Sequence, residues 1–283
     1  MDISKIKIVA DSSADLPTVE GVAFASAPLK IITAEKEYID HSVLNVEEMV
    51  DDLSRYGGKS STACPAPGDW LNAFGSAEYV FCVTLTGTLS GSYNSACIAK
   101  KVYEESYPGR RVFVIDSLSA GPELRLIIDK LHDLINAGKP FDEICSAINK
   151  YRKKTALIFM LESMKNLANN GRVSPFIAKA AGLLGIRVVG KASDKGDLEP
   201  IDKCRGEKNA LSTMLENMKK LGMSGGKVAI GHCFNEKAAT ALKEMIISEF
   251  KNVKVVIYRV RGLCSFYAEK GGILIGFERA ATV

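Results

Sequence analysis

The stretch VFCVTLTGTLSGSYNSACIAKK, residues Val80–Lys101, opens as an alternating apolar run, breaks at a small-residue turn studded with hydroxyls, and closes on a helical pattern. Strand, turn and helix in that order commit the surrounding chain to an α/β arrangement. In an open α/β sheet, ligands bind beyond the carboxyl ends of the strands, where helix N-termini present free N–H groups. The turn Gly87–Ser92 therefore reads as an anion cradle, each charge-assisted bond to a carboxylate or phosphate contributing about 1.5–3 kcal/mol. Taken alone, Ser90 or Ser92 reads more simply as the cap of its own helix.

Working outward, strand-like and helix-like runs alternate along nearly the whole chain. KIKIVADSS is a buried strand ending in a turn, NVEEMVDDLSRY a helix capped by Asn45, and RVFVIDS another strand. PELRLIIDKLHDLINAG is a helix ended by Gly138, and FDEICSAINKYRKK a further one. After Lys154 the alternation restarts with strand TALIFML, helical SMKNLANN, turn GRVS, helix PFIAKAAGLLG and strand IRVVGKAS. Helices EKNALSTMLENMKKLG and EKAATALKEMIISEF then alternate with strands KVAIGHC, KVVIYRV and GGILIGF. The pattern predicts two α/β domains with mostly parallel sheets, divided into residues 1–152 and 153–283.

At 283 residues, 47% hydrophobic and 25% charged, the chain can bury two ordinary cores. Its 37 basic and 33 acidic residues are interspersed, so no basic stripe suggests nucleic acid. The N-terminal run carries charges and no small-residue cleavage site, and no stretch approaches the ~20 apolar residues of a membrane span. Seven scattered cysteines without a C-x-x-C pair suit reduced thiols, and the expected location is cytoplasmic. Three scattered histidines offer no zinc site, so no metal is expected.

Four loops gather at strand ends: Ala10–Pro17, Lys59–Trp70, Thr84–Ala96 and Val114–Gly121. All are rich in Ser, Thr and Gly, and few of their groups are strong bases at neutral pH. This is recognition chemistry more than bond-breaking chemistry, and no catalytic residue is assigned. GTLSG departs from the hydrolase order G-x-S-x-G because Thr88 stands two residues before Ser90, and no histidine lies in an obvious partner loop. An enzyme, hydrolase or transferase, acting on a small anionic substrate in the same crevice remains the alternative from another class.

The chain resembles the DegV family, bacterial fatty-acid-binding proteins that include the lipid-carrier subunits of fatty acid kinase. IVADSSADLP is similar to the family's D-S-x-x-D-L-P, STACP stands where it has T-S-Q-P, and TGTLSGSYNSA looks like its S-S-x-L-S-G-T-Y-x-S-A. VIDS, NNGRVSPFIAKAAGLLGIRVV and GHCFNEKA are similar to further family segments, in order and at similar spacing. The resemblance implies one long-chain fatty acid held in a crevice between the domains, with no other cofactor. Its carboxylate would meet Thr62, Ser90 and the N–H groups near Gly91, and its acyl chain would fill an apolar tunnel. Candidate linings are Leu157–Leu161, Pro175–Ile186 and Ile273–Phe277, although any single one of these residues reads more simply as ordinary core.

The physics of such a ligand is simple: at about 0.8 kcal/mol per buried methylene, a dozen carbons provide on the order of 10 kcal/mol before association costs. By the same resemblance Arg172 and Arg205 are candidates for contact with a partner kinase subunit or an acyl phosphate; a solvated turn arginine is the plain alternative for Arg172. The chain departs from the family in lacking the histidine of a C-terminal H-x-G-P-G loop, where it reads RGLCSFYAEKGGILIGF. Tyr267 and Glu269 are the polar side chains available to refill that space. The loss bears on coupling to a kinase more than on lipid binding, and leaves a regulatory module as a third reading.

Overall fold

The computed structural model describes the protein over residues 1–175 and 185–280. Strands β1 (Ile6–Asp11), β2 (Ala23–Ala27), β3 (Lys30–Ile32), β4 (Glu37–Ile39), β5 (Ser61–Ala63), β6 (Tyr79–Thr84) and β7 (Arg111–Asp116) belong to the N-terminal lobe. Four of them form a parallel sheet in the order β2-β1-β6-β7, and β4-β3-β5 form a small antiparallel sheet. Helices α1 (Val46–Arg55), α2 (Pro67–Phe74), α3 (Ser92–Ser106), α4 (Pro122–Asn136) and α5 (Phe141–Tyr151) complete the lobe.

The opening stretch shows why this sheet is double-covered. Along β6, Val80 and Cys82 pack with Trp70, Phe74, Ala96, Ala99 and Tyr103 of α2 and α3. Phe81 and Val83 point the other way, onto Leu124, Ile127, Ile128 and Leu131 of α4 and Ile144 and Ile148 of α5. A strand buried on both faces reads as a continuous apolar run. Local signals set the helix ends: the Asn45 side chain accepts from Glu48 N at 3.2 Å, and Gly138, at φ +67°, follows the end of α4.

The second lobe carries β8 (Thr155–Leu161), β9 (Ile186–Ala192), β10 (Leu198–Arg205), β11 (Gly226–His232), β12 (Val253–Arg259) and β13 (Ile273–Glu278). Their order is β10-β9-β8-β13-β11-β12, and of these neighbours only β11 and β12 run parallel. The α/β class therefore holds, with a parallel sheet in the first lobe and a mixed one in the second, where a mostly parallel sheet was expected. Hydrophobic periodicity reports that a segment is a strand, not which way it runs. Here a short turn returns β10 beside β9, and the last strand inserts between β8 and β11, which makes those pairings antiparallel.

Among the described residues four helices accompany this sheet: α6 (Lys165–Asn169), α7 (Glu207–Lys220), α8 (Glu236–Glu249) and α9 (Gly262–Ala268). Met214 and Met218 of α7 and Leu242 and Ile246 of α8 cover Ile158, Met160, Val189 and Ile230 on one face. Phe159, Leu161 and Val188 occupy the opposite face, with Leu167 of α6 and Cys264 and Ala268 of α9.

Two features lock the lobes together. An added Cβ at Gly276 of β13 would stand 2.7 Å from Glu123 N and Pro122 C, so β13 takes the start of α4 in direct backbone contact. The second lock is α9, which leaves its own lobe to pack on the first. The buried Asp40 carboxylate accepts from Gly262 N and Leu263 N, both at 2.9 Å, and Asp15 accepts from Arg261 N at 2.7 Å. An acceptor at two otherwise unpaired N–H groups is favourable because leaving either unmet would cost about 1–3 kcal/mol.

Candidate functional site

Between the lobes lies an apolar channel with about 720 Å³ of space between its lining atoms, mouth included. The pleat of β8 builds one wall: Leu157, Phe159 and Leu161 line the channel, whereas Ile158 and Met160 face away into the second lobe's core. Leu274 adds to this wall from β13 and Leu198 from β10. Ile273, Ile275 and Phe277 of the expected tunnel segment belong instead to the core. Of the segment Pro175–Ile186, residues 176–184 lie outside the described residues.

Each of the four hydroxyl-rich loops contributes to the opposite wall. Ser13, Thr62, Ala120, and Leu85, Leu89 and Ser90 come from the first, second, fourth and third loops respectively. Thr62 sits on β5 of the small antiparallel sheet, opposite Ile31, and so reaches the channel from a strand that no sequence signal marked. Leu29, Leu167 and Leu263, lining residues from outside these loops, also escaped the sequence reading, because a lone leucine carries no mark of which cavity it faces.

Two aspartates hold the loops without lining the channel. Asp11 accepts from Leu85 N and from the Ser92 hydroxyl, each at 2.8 Å, and also from the Ser13 backbone and hydroxyl. Burial pushes its carboxyl up to about 6, against the pull of these hydrogen bonds. Asp116 accepts from Gly87 N at 3.2 Å and Leu118 N at 3.1 Å. The start of α3 resolves the question of caps: Gly91 precedes the helix with no side-chain cap bond to it, and Ser92 serves Asp11. Ser90 accepts from Ser92 N at 3.2 Å, a weak cap-like contact, while still lining the channel.

The polar groups converge at one end. The Thr62 hydroxyl and the Tyr267 phenol, from opposite lobes, are 2.7 Å apart. Burial raises the Tyr267 phenol above its ordinary range, so at neutral pH it is a neutral donor. Tyr267 thus brings a hydroxyl from the C-terminal lobe to this end, whereas Glu269 turns to accept from Asn166 N at 3.2 Å. Arg172 is the single charged residue among the described lining. Its guanidinium donates to the carbonyls of Leu89, at 3.0 Å, and Asn170, and no carboxylate among the described residues lies within ion-pair distance of it.

A polar recess adjoins the channel at Ser90 and Arg172 and is lined further by Gly87, Gly91, Asn94, Asn170 and Asp197. Interlobe bonds rim it: Asn170 Nδ2 donates to Ser60 O at 3.1 Å, and Thr88 Oγ1 to Gly196 O at 2.9 Å. The structure brings Thr62, Ser90 and Arg172 to one channel and Gly91 to its recess. Arg205 is not among them: it lies exposed at the end of the edge strand β10.

None of the three histidines lines the channel, so no imidazole stands ready to deprotonate Ser90. His232 is instead a structural group: its Nδ1 accepts from Asn235 N at 3.2 Å, and burial lowers its pKa. Among the described residues no His, Cys, Asp and Glu cluster is fit to hold a metal ion. No helix among them is long and apolar enough to cross a membrane.

A two-lobed α/β protein whose apolar channel carries hydroxyls and, among the described residues, one charged lining side chain at a single end has the form of a binding protein suited to an amphipathic ligand. The chain belongs to the DegV family, whose model, described as an uncharacterised protein family, matches residues 5–279. A DegV domain-containing protein of Streptococcus pneumoniae is 44% identical over 96% of this chain and 98% of its own length. Among solved structures, a DegV family protein of Eubacterium eligens loaded with heptadecanoic acid superposes with a TM-score of 0.96. It is 44% identical and covers 97% of this chain and 100% of its own. The S. pneumoniae fatty acid kinase (Fak) B3 protein loaded with linoleic acid reaches 0.94 at 43% identity, over 97% of this chain and 99% of its own.

Proposed function

We propose that the protein binds one long-chain fatty acid, with its acyl chain along the β8 wall and its carboxylate at the Thr62, Tyr267 and Ser90 end. The observation that carries this reading is the segregation within one channel: leucines and Phe159 along its length, and hydroxyls with Arg172 at one end. The structures of relatives loaded with heptadecanoic and linoleic acids support it. Burial of the chain supplies the affinity, at about 0.8 kcal/mol per methylene, and the polar end sets the direction of entry.

In this reading the chain performs no catalysis and is a carrier, in the cytoplasm, that presents the carboxylate to a separate kinase subunit. The likeness to the Fak B3 protein supports the partner class. The recess at Ser90, Gly91 and Arg172 is where a phosphate would arrive, and Arg172 is the residue placed to meet it. Arg205 is proposed as a kinase contact at most, away from the lipid. We take residues 1–152 and 153–283 as the two domains, with α9 reaching across between them.

Mass spectrometry of the purified protein, native and then denatured, tests the reading. A fatty acid recovered at one per chain is the expected result. A protein that arrives empty and binds neither saturated nor unsaturated fatty acids at micromolar concentration overturns it.

A further inference from the structure

A second cavity opens between the lobes at the far end of β8, and Leu157 lines both it and the channel. Beyond Leu157 the crevice changes character. Thr155, one pleat further along, donates to the buried Glu123 carboxylate, and the walls become cationic. Lys150, Arg152, Lys153, Lys154, Lys191 and Arg279 line this cleft, against two acids, Glu123 and Asp194.

The positive charge is held in place and poorly neutralised. Arg152 donates to Asp116 O at 2.6 Å and Arg279 to Thr155 O at 2.9 Å, so backbone carbonyls anchor both guanidinium groups without cancelling their charge. Among the described residues the one carboxylate within ion-pair distance of Arg279 is that of Asp194, 3.8 Å away on a side chain that is 99% exposed, and the buried Glu123 carboxylate feels the Arg279 charge from further off. Lys191 pairs with Glu199 at 3.4 Å, and Lys150, Lys153 and Lys154 have no acid within ion-pair distance among the described residues. Arg152 Nε is buried with no hydrogen-bond partner among the described residues. A buried donor left without an acceptor is destabilising, and an anionic oxygen would satisfy it.

We propose that this cleft is a second ligand site, which takes a multiply charged phosphate anion, free or as the phosphate end of a small ester. The concave wall and the two pre-anchored guanidinium forks favour such an anion over a flat acidic protein surface. The site is separate from the proposed carboxylate end and does not depend on what the channel holds.

Calorimetric titration of the lipid-loaded protein with pyrophosphate, inorganic phosphate and AMP tests the site, with copurified lipid measured in parallel as the independent report on the channel. Saturable pyrophosphate binding is expected, weakened when salt is raised from about 50 to 200 mM. Lys153→Glu with Lys154→Glu, both exposed positions, should weaken it about tenfold or more while melting temperature and bound lipid stay the same. Tighter AMP than phosphate binding would identify an ester as the ligand class, and the reverse a free anion. No saturable binding of any probe at millimolar concentration, or equal binding by the double variant, overturns the proposal.

Discussion

Tyr267→Phe removes one hydroxyl and leaves the ring packed against Phe266, 4.8 Å between centroids. In the free protein this hydroxyl is bonded to Thr62 at 2.7 Å, a neutral pair that contributes about 0.5–1.5 kcal/mol. With a fatty acid bound, the same hydroxyl would donate to the carboxylate, a charge-assisted bond of about 1.5–3 kcal/mol. Since the neutral bond is exchanged for the charged one, the net loss in affinity is about 1–2 kcal/mol, or roughly 5–30-fold. A fatty alcohol of equal chain length exchanges one neutral bond for another and should lose less than about threefold. Fluorescence displacement with the acid and the alcohol, on both proteins, gives the four dissociation constants needed. Equal loss for acid and alcohol, or none for the acid, would refute the placement of the carboxylate at Tyr267.

Thr62→Ala combined with Ser90→Ala should weaken retention of the fatty acid and leave the melting temperature within a few degrees, since both side chains are only half-buried; unchanged affinity would remove both from the site. Asp40→Ala strands the buried N–H groups of Gly262 and Leu263 and should cost about 2–5 kcal/mol, with lipid binding falling along with it because α9 carries Tyr267. Chemical denaturation and lipid titration of that variant check the pair of effects. The Asp15 carboxyl is pushed up to about 7, chiefly by burial, with its Oδ2 unpartnered. A folded pKa above the unfolded one gives stability that is complete below about pH 4 and is lost as pH rises through about 7. The wild-type melting temperature should therefore fall between about pH 4 and 7 and level off above, and Asp15→Asn should flatten that slope; parallel slopes would assign the loss to other groups.

By itself the sequence determined the elements that depend on neighbours a few residues away. The continuous apolar run Val80, Phe81, Cys82 and Val83 marked β6 as a buried strand, Asn45 and Gly138 marked helix ends, and the hydroxyl-rich loops proved to line one wall of the channel. Periodicity is a local property, so these features were legible. Only the tertiary structure decided which leucines face the channel, that β13 runs antiparallel between β8 and β11, and that Asp40 and Asp15 draw α9 across to the first lobe. The pairing of Thr62 with Tyr267, 205 residues apart in the chain, belongs to the same class. Such contacts form between segments whose sequences carry no record of one another, and they are selected by the burial and hydrogen-bonding of the whole chain rather than by any local propensity.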